Sequence, residues 1–218
     1  MVNCGVSFGV CRARITKVDA SGNVVAGSKN AYVTDNIQQV TVNPNIETGN
    51  NVSVRNGCGC KIASKKFPDT FNFWELAFQN GALEPEAEAL MLGAAQITDG
   101  SDVVGLAYPS AAGCDEDASY VAFEWWTIHQ VGSGADGTYP WFHFVIPKTR
   151  WQVGNNTFAE AEATPTLNGF SETNSQWGDG PYGDGPPDGE DISEGGYWMT
   201  DVDPPTATCA GSSVTAVS

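Results

Sequence analysis

The chain has 218 residues and carries 26 acidic against 10 basic side chains, a formal net charge of −16. This length suits one domain with a sizeable core. Tight binding to nucleic acid or to anionic lipid needs Lys and Arg, so a chain this acidic is a poor candidate for either function. The charge is also uneven, because residues 1–66 hold 8 bases and 3 acids whereas residues 67–218 hold 2 bases and 23 acids.

Composition favours β structure and many turns. The chain has 20 Val, 17 Thr and 8 Ile but only 6 Leu, together with 25 Gly and 12 Pro. Branched side chains suit strands, and Gly and Pro suit turns. No apolar run reaches the roughly 18 residues of a membrane span, and the N-terminus lacks the charged and apolar regions of a signal peptide. We therefore expect a soluble protein made in a reducing cytoplasm.

The first third of the chain reads as strands and one hairpin. Alternating apolar residues predict strands over 6–19 and 32–42. Two further alternating segments, 51–55 and 58–63, flank Asn56-Gly57, which is a strong short-range signal for a hairpin. This part of the chain therefore predicts an antiparallel, strand-rich beginning.

One short helix interrupts a second series of strands. Residues 85–92 begin with Pro85, carry acids in the first turn and end before Gly93, so a helix is predicted over about 84–93. The strands on either side of it are predicted over 71–79, 103–108, 120–129, 141–146, 158–163 and 166–173. The predicted class is mainly β, a sandwich or small barrel with one short helix and long loops.

The last part of the chain changes in character. Residues 1–176 are predicted to form the β domain, and residues 177–218 an acidic, Gly/Pro-rich arm or loop of that same domain. Between 177 and 205 there are eight acids and no base. Aromatic residues in a polar segment usually anchor it, so we expect Trp177, Tyr182 and Trp198 to fix the arm, either within the subunit or against another one.

Candidate chemistry in the sequence is weak. Cys4, Cys11, Cys58 and Cys60 could form a four-thiolate zinc site, but their spacing departs from the usual Cys-x2-Cys, and free thiols are favoured. The two histidines lie in aromatic-rich strands without a nucleophile motif, and are interpreted as structural. The acids at 115–117 with Glu124 could supply a glycosidase pair, but a sequence does not show the distance between two carboxylates, and a solvated turn is favoured for 115–117. The acids at 184–191 lack the spacing of a twelve-residue calcium loop. We expect no cofactor, no metal and no catalytic residue.

Several segments spread over nearly the whole chain resemble one protein family. They are residues 4–19, 32–35, 40–47, 54–59, 71–77 followed by the helix at 85–92, 177–182 and 204–209. Together they are similar to the major tail proteins of long-tailed phages that infect actinobacteria. The resemblance implies a tail-tube fold, rings of six copies, and stacked rings whose hairpins continue one inner barrel.

The resemblance also implies partners and a location. These are other copies of the chain, the tape-measure protein, and the terminator and distal tail proteins. The tape-measure protein and then DNA would pass through the lumen without specific binding, and no membrane is involved. The protein would be assembled in the host cytoplasm and reside in the virion tail.

Charge suggests how copies would meet. Four bases of the hairpin region, Arg55, Lys61, Lys65 and Lys66, are predicted to contact acidic surface on the next ring. Acids lining a lumen would repel DNA and let it slide, and the candidates are Glu75 and Glu124. The alternative functions are a Trp-rich β-sandwich module that binds carbohydrate and a β-rich hydrolase that uses carboxylates.

Overall fold

A computed structural model describes residues 6–100, 102–108, 119–131, 134–158, 163–207 and 212–214. The protein is mainly β and sandwich-like, which confirms the predicted class. The strands are β1 (Val6–Val18), β2 (Gly27–Thr34), β3 (Ile37–Glu47), β4 (Asn51–Arg55), β5 (Lys61–Lys66), β6 (Thr70–Asn80), β7 (Ala95–Asp99), β8 (Asp102–Ala107), β9 (Tyr120–Val131), β10 (Gly134–Ala135), β11 (Trp141–Val153), β12 (Thr157–Phe158), β13 (Ala163–Thr164), β14 (Thr166–Ser171), β15 (Gly196–Thr200) and β16 (Ser212–Val214).

A ten-stranded antiparallel sheet organises the molecule. Its main path runs β16-β2-β1-β9-β11-β14-β6-β3, with β10 added to β9 and β15 added to β11. Strands β1 and β3 contact each other although four strands separate them in this order, so the sheet curls over itself. Three two-stranded pieces lie outside it, namely β4-β5, β7-β8 and β12-β13.

The curled sheet encloses the larger of two cores. Alternate residues of β9, such as Val121 and Phe123, point into this inner core, where Phe78 and Trp151 pack edge-on against the Phe123 ring. The period of two along a strand sends the residues between them to the opposite face. That outer face carries the second core, which includes Ala122.

The one α-helix among the described residues, α1 (Pro85–Leu92), begins and ends as the sequence predicts. Pro85 lies in its first turn, and Gly93 adopts the left-handed conformation with φ 65° at the C-cap. Met91 is completely buried in the inner core, so the helix covers one opening of the curled sheet. No helix in the described part of the chain is long and apolar enough to cross a membrane.

Several predicted strand boundaries are wrong. The predicted strand 32–42 is two strands, because the chain breaks at Asp35-Asn36 and β3 then continues to Glu47. Pro44 is tolerated within β3 because, among the described strands, β3 pairs only with β6 and forms an edge of the sheet. The predicted strand 158–163 lies largely outside the described residues, and its ends belong to the small pair β12-β13.

Candidate functional site

The hairpin formed by β4 and β5, residues 51–66, stands apart from the main sheet. It extends β3 and β6 beyond the end of their pairing at Glu47 and Thr70. Every residue in both of its strands is exposed. An isolated two-stranded hairpin is only marginally stable in water, so this geometry favours docking against another surface.

Exposed apolar side chains accompany the cations of this hairpin. Val52, Val54 and Ile62 are 51%, 53% and 66% exposed. At the turn, the Asn56 side-chain oxygen accepts hydrogen bonds from the backbone N–H groups of Cys58 and Cys60, at 3.1 and 2.8 Å. The tip is therefore ordered by its own Asx contacts, while its apolar flanks have no cover within the described chain.

Three of the four hairpin cations have no ionic partner. Arg55, Lys61 and Lys65 form no ion pair with any described residue, and Lys66 lies 3.3 Å from Asp69 in an exposed contact. The Arg55 guanidinium instead donates to a backbone carbonyl, and the Lys65 ammonium lies over an aromatic ring. The hairpin thus presents unneutralised positive charge in a strongly acidic chain.

The proposed zinc ligands do not come together. Cys4 lies outside the described residues, Cys11 is half-buried in β1, and Cys58 and Cys60 are exposed at the hairpin turn. Among the described residues, no group of three potential metal ligands contains a cysteine. The structure therefore gives the four-thiolate hypothesis no support.

The acidic arm lies across the outer face of the sheet. Its Trp177 is only 5% exposed and packs with Val18, Ala122, Val145 and Ile192 in the outer core. The arm is also not purely a loop, because it contains a 3₁₀ turn at Pro187–Gly189 and strand β15, which pairs with β11. The segment after residue 176 therefore packs on the same sheet as the residues before it.

Hydrogen bonds fix the arm where it leaves the sheet. The buried Asn174 side chain donates to the carbonyls of Gly22 and Pro147, each at 3.0 Å. Farther along, Trp198 contacts the His143 ring edge-on at 4.5 Å. Tyr182 lies over a buried arginine, so all three predicted anchors contact their own subunit.

That arginine, Arg14, is the centre of a buried charge cluster under the arm. Its guanidinium donates to both carboxylate oxygens of Glu124 at 2.6 and 2.7 Å, and to the Asp184 carboxylate at 2.9 Å. Arg14 and Glu124 face each other in register on β1 and β9, whereas Asp184 belongs to the arm. One guanidinium therefore joins the arm to the sheet.

Aromatic rings enclose the cluster. The Arg14 guanidinium lies 3.5 Å from the Tyr182 ring centroid and 5.1 Å from that of Trp126. The Tyr182 hydroxyl is 3.2 Å from the Thr16 hydroxyl, and burial raises the pKa of this tyrosine. This packing excludes water from the ion pairs, which strengthens them.

The cluster is structural, and its cation is the Arg14 guanidinium. Burial alone would raise the pKa of Glu124, but Arg14 and the hydrogen bond from His143 lower it to about 2. Ligand atoms of Glu124, His143 and Asp184 lie within 4.8 Å of one another, a spacing that could hold a metal. The Arg14 guanidinium already bonds both of these carboxylates, so it takes the place that a metal ion would need.

The two predicted lumen acids, Glu75 and Glu124, differ in solvent exposure. Glu124 is 1% exposed and paired with Arg14, so the prediction that it lines a lumen is wrong. Glu75 is exposed on β6 and accepts a hydrogen bond from the Asn45 amide at 2.8 Å. Its neighbours in register are Asn43 on β3 and Phe170 on β14.

Sequence reasoning also missed a row of stacked aromatic rings. Trp125, Phe144 and Tyr197 are paired in register across β9, β11 and β15. We call these three residues the aromatic ladder. The signal available in the sequence was the dense aromatic content of 141–144 and 197–198, but the register that aligns it depends on distant pairings.

The functional interpretation depends on this geometry, because comparison with known proteins found no match. No protein-family model matches the chain, and no curated protein matches it. The buried cluster is largely closed to solvent and already paired, whereas the hairpin is exposed and three of its four cations form no ion pair with any described residue. The hairpin is therefore the strongest candidate functional surface among the described residues.

Proposed function

We propose that the chain is the subunit of a phage tail tube, in which rings, six-membered by resemblance, stack around a central lumen. The observation that carries the proposal is the exposed, cationic hairpin on a chain with a net charge of −16. Such a hairpin gains stability when it docks on acidic surface, and every further copy supplies that surface.

The edge of the main sheet supports the proposal. Strand β3 is 11 residues long and pairs only with β6 among the described residues. A long edge strand offers unpaired backbone groups to another chain. A heterologous contact that closes by rotation produces a ring, and the same kind of contact along an axis produces a tube.

The face that carries Glu75 has the character expected of a lumen wall. Strands β3, β6 and β14 contain no Lys or Arg. Amide side chains such as Asn43 and Asn168 are exposed there beside the single carboxylate. These three strands offer no cation to a phosphate, although the Arg150 guanidinium of β11 lies 5.5 Å from the centroid of the Phe170 ring on this same face. Little positive charge therefore faces DNA or, before it, a tape-measure protein, and we expect both to slide past these strands.

A carbohydrate-binding module receives less support. Sugar platforms expose flat aromatic rings, but Trp125, Trp126, Trp151 and Trp177 are 8% exposed or less. A monodisperse monomer that binds glycans remains the outcome that would favour this alternative over the tube.

Charge reversal in the hairpin tests the proposal. Lys65→Glu, or the double variant Arg55→Glu/Lys65→Glu, should abolish or strongly reduce tubes in electron micrographs while leaving the circular dichroism spectrum and thermal midpoint unchanged. Lys29→Glu is the matched control, because it makes the same charge change at an exposed site outside the hairpin. Normal tubes from the hairpin double variant would contradict the proposal.

A further inference from the structure

The aromatic ladder leads from the inner core to the molecular surface. Trp125 is 7% exposed and stacks on Phe144, with ring centroids 5.0 Å apart and planes inclined by 5°. Phe144 in turn stacks on Tyr197 at 5.2 Å and 23°. Phe142 closes the row with an edge contact to Tyr197 at 6.3 Å. The outermost ring is therefore held in place by two others.

That outermost ring is unusually open to solvent. Tyr197 is 66% exposed, a value matched among the described large apolar side chains only by Ile62 of the hairpin. Strand β15, which carries Tyr197, pairs with β11 alone among the described strands. Rigid, preordered aromatic rings are typical of residues that dominate binding at protein interfaces.

The surroundings of Tyr197 are acidic, whereas those of Ile62 are basic. Exposed carboxylates precede and follow β15, at Glu194, Asp201 and Asp203. Arg12 of β1 lines one cavity together with Asp203, so the acidic character is clearest at Glu194 and Asp201. On the hairpin, Ile62 directly follows Lys61, which forms no ion pair with any described residue. The two surfaces thus match in both apolar character and charge.

We propose that the hairpin of one copy docks on the aromatic ladder of a second copy, with Ile62 against Tyr197 and Lys61, its neighbour at the register shift of the hairpin, toward the carboxylates around β15. This inference rests on the proposed function, since it names the acceptor of the assembling hairpin. Both surfaces are exposed in the same chain, so the described fold does not join them within one subunit. A contact between two different surfaces can repeat head to tail, and such a heterologous contact builds rings and filaments.

Site-specific photocrosslinking tests this acceptor. The variant Tyr197→p-benzoylphenylalanine is irradiated after assembly, and the products are separated on a denaturing gel and mapped by peptide mass spectrometry. We expect a dimer band whose crosslinked peptide lies within residues 51–66. Lys61→Glu in the same background should lower the dimer yield at least about fivefold, because it opposes the acidic rim.

A photoprobe at a second exposed position controls for crosslinks that form by random collision. Val104→p-benzoylphenylalanine places the same photoprobe at a site that is 59% exposed on β8, and should give no dimer through the hairpin. Tubes or rings whose Tyr197 crosslinks fall outside 51–66 would overturn the acceptor and leave the proposed function intact. A specific hairpin crosslink in small oligomers that never form rings or tubes would support the acceptor and contradict the tube.

Discussion

Replacing Arg14 by Met should destabilise the fold strongly, because Arg14 is a buried member of the charge cluster. Met has a similar length and an apolar, flexible side chain, so the space is largely refilled. The ion pairs are not replaced, and the Glu124 carboxylate is left 1% exposed without its cation. The Asp184 side chain, at 14% exposed, can still reach water.

Two routes give the same magnitude for the expected loss. Removing one partner of a buried ion pair typically costs about 3–5 kcal/mol. Separately, the shift of the Glu124 pKa from 4.5 to about 2 corresponds to about 3 kcal/mol of stabilisation at neutral pH. We therefore expect Arg14→Met to lower the free energy of unfolding by about 4 kcal/mol at pH 7.

The sign of the pH dependence follows from the direction of that shift. The pKa of Glu124 is lower in the folded than in the unfolded state, so its stabilisation is present above about pH 4.5 and is lost as the pH falls toward 2. In Arg14→Met the buried carboxyl takes up a proton instead of remaining charged. The difference between wild type and variant should therefore be largest at pH 7 and shrink below pH 4.

Urea unfolding followed by tryptophan fluorescence measures these differences. Arg12→Met is the control on the same strand, because the Arg12–Asp35 pair is 32% and 48% exposed and should contribute less than about 1 kcal/mol. Adding Glu124→Gln to Arg14→Met should recover more than half of the loss, since the buried charge is then removed. Equal losses from the two arginine variants, or no recovery in the double variant, would refute the reasoning.

Two further predictions concern packing. Gly169→Ala should destabilise by about 1–3 kcal/mol in thermal unfolding, because a Cβ there would lie 2.7 Å from the Trp151 ring, whereas Gly57→Ala, with open space around it, should change little. Similar losses in the two variants would show that this close contact is unimportant. Trp177→Ala should cost about 3–5 kcal/mol and speed proteolysis within the arm, and an unchanged cleavage rate would show that Trp177 does not hold the arm.

Local signals predicted the parts of the fold that depend on neighbouring residues. Pro85 and Gly93 define the ends of α1, and Asn56-Gly57 lies in the connection of the hairpin, because each acts within a few positions of the chain. The predicted second strand, 58–63, is wrong at its start, since the connection spans residues 56–60 and β5 is Lys61–Lys66. The break at Asp35-Asn36 was missed because apolar alternation continues on both sides of it. The predicted strand ends at 42, shortly before Pro44, because the sequence does not show that β3 is an edge strand in which a proline is tolerated.

The charge cluster depended on pairings that the sequence does not display. Glu124 and Arg14 are 110 positions apart and meet only because β1 and β9 are adjacent in this register. A charged residue in an apolar strand can face either solvent or a buried partner, and the sequence alone favoured solvent for Glu124. The arm anchors are easier to predict from the sequence, because Trp177 and Tyr182 are aromatic residues in a polar segment.

The central claim is that copies of this chain assemble through exposed surfaces into rings and tubes. Negative-stain electron microscopy of the purified protein over a range of concentrations tests it most directly. The account predicts hollow tubes or closed rings of uniform diameter, six-membered if the family resemblance holds. A monodisperse monomer at every concentration would contradict it.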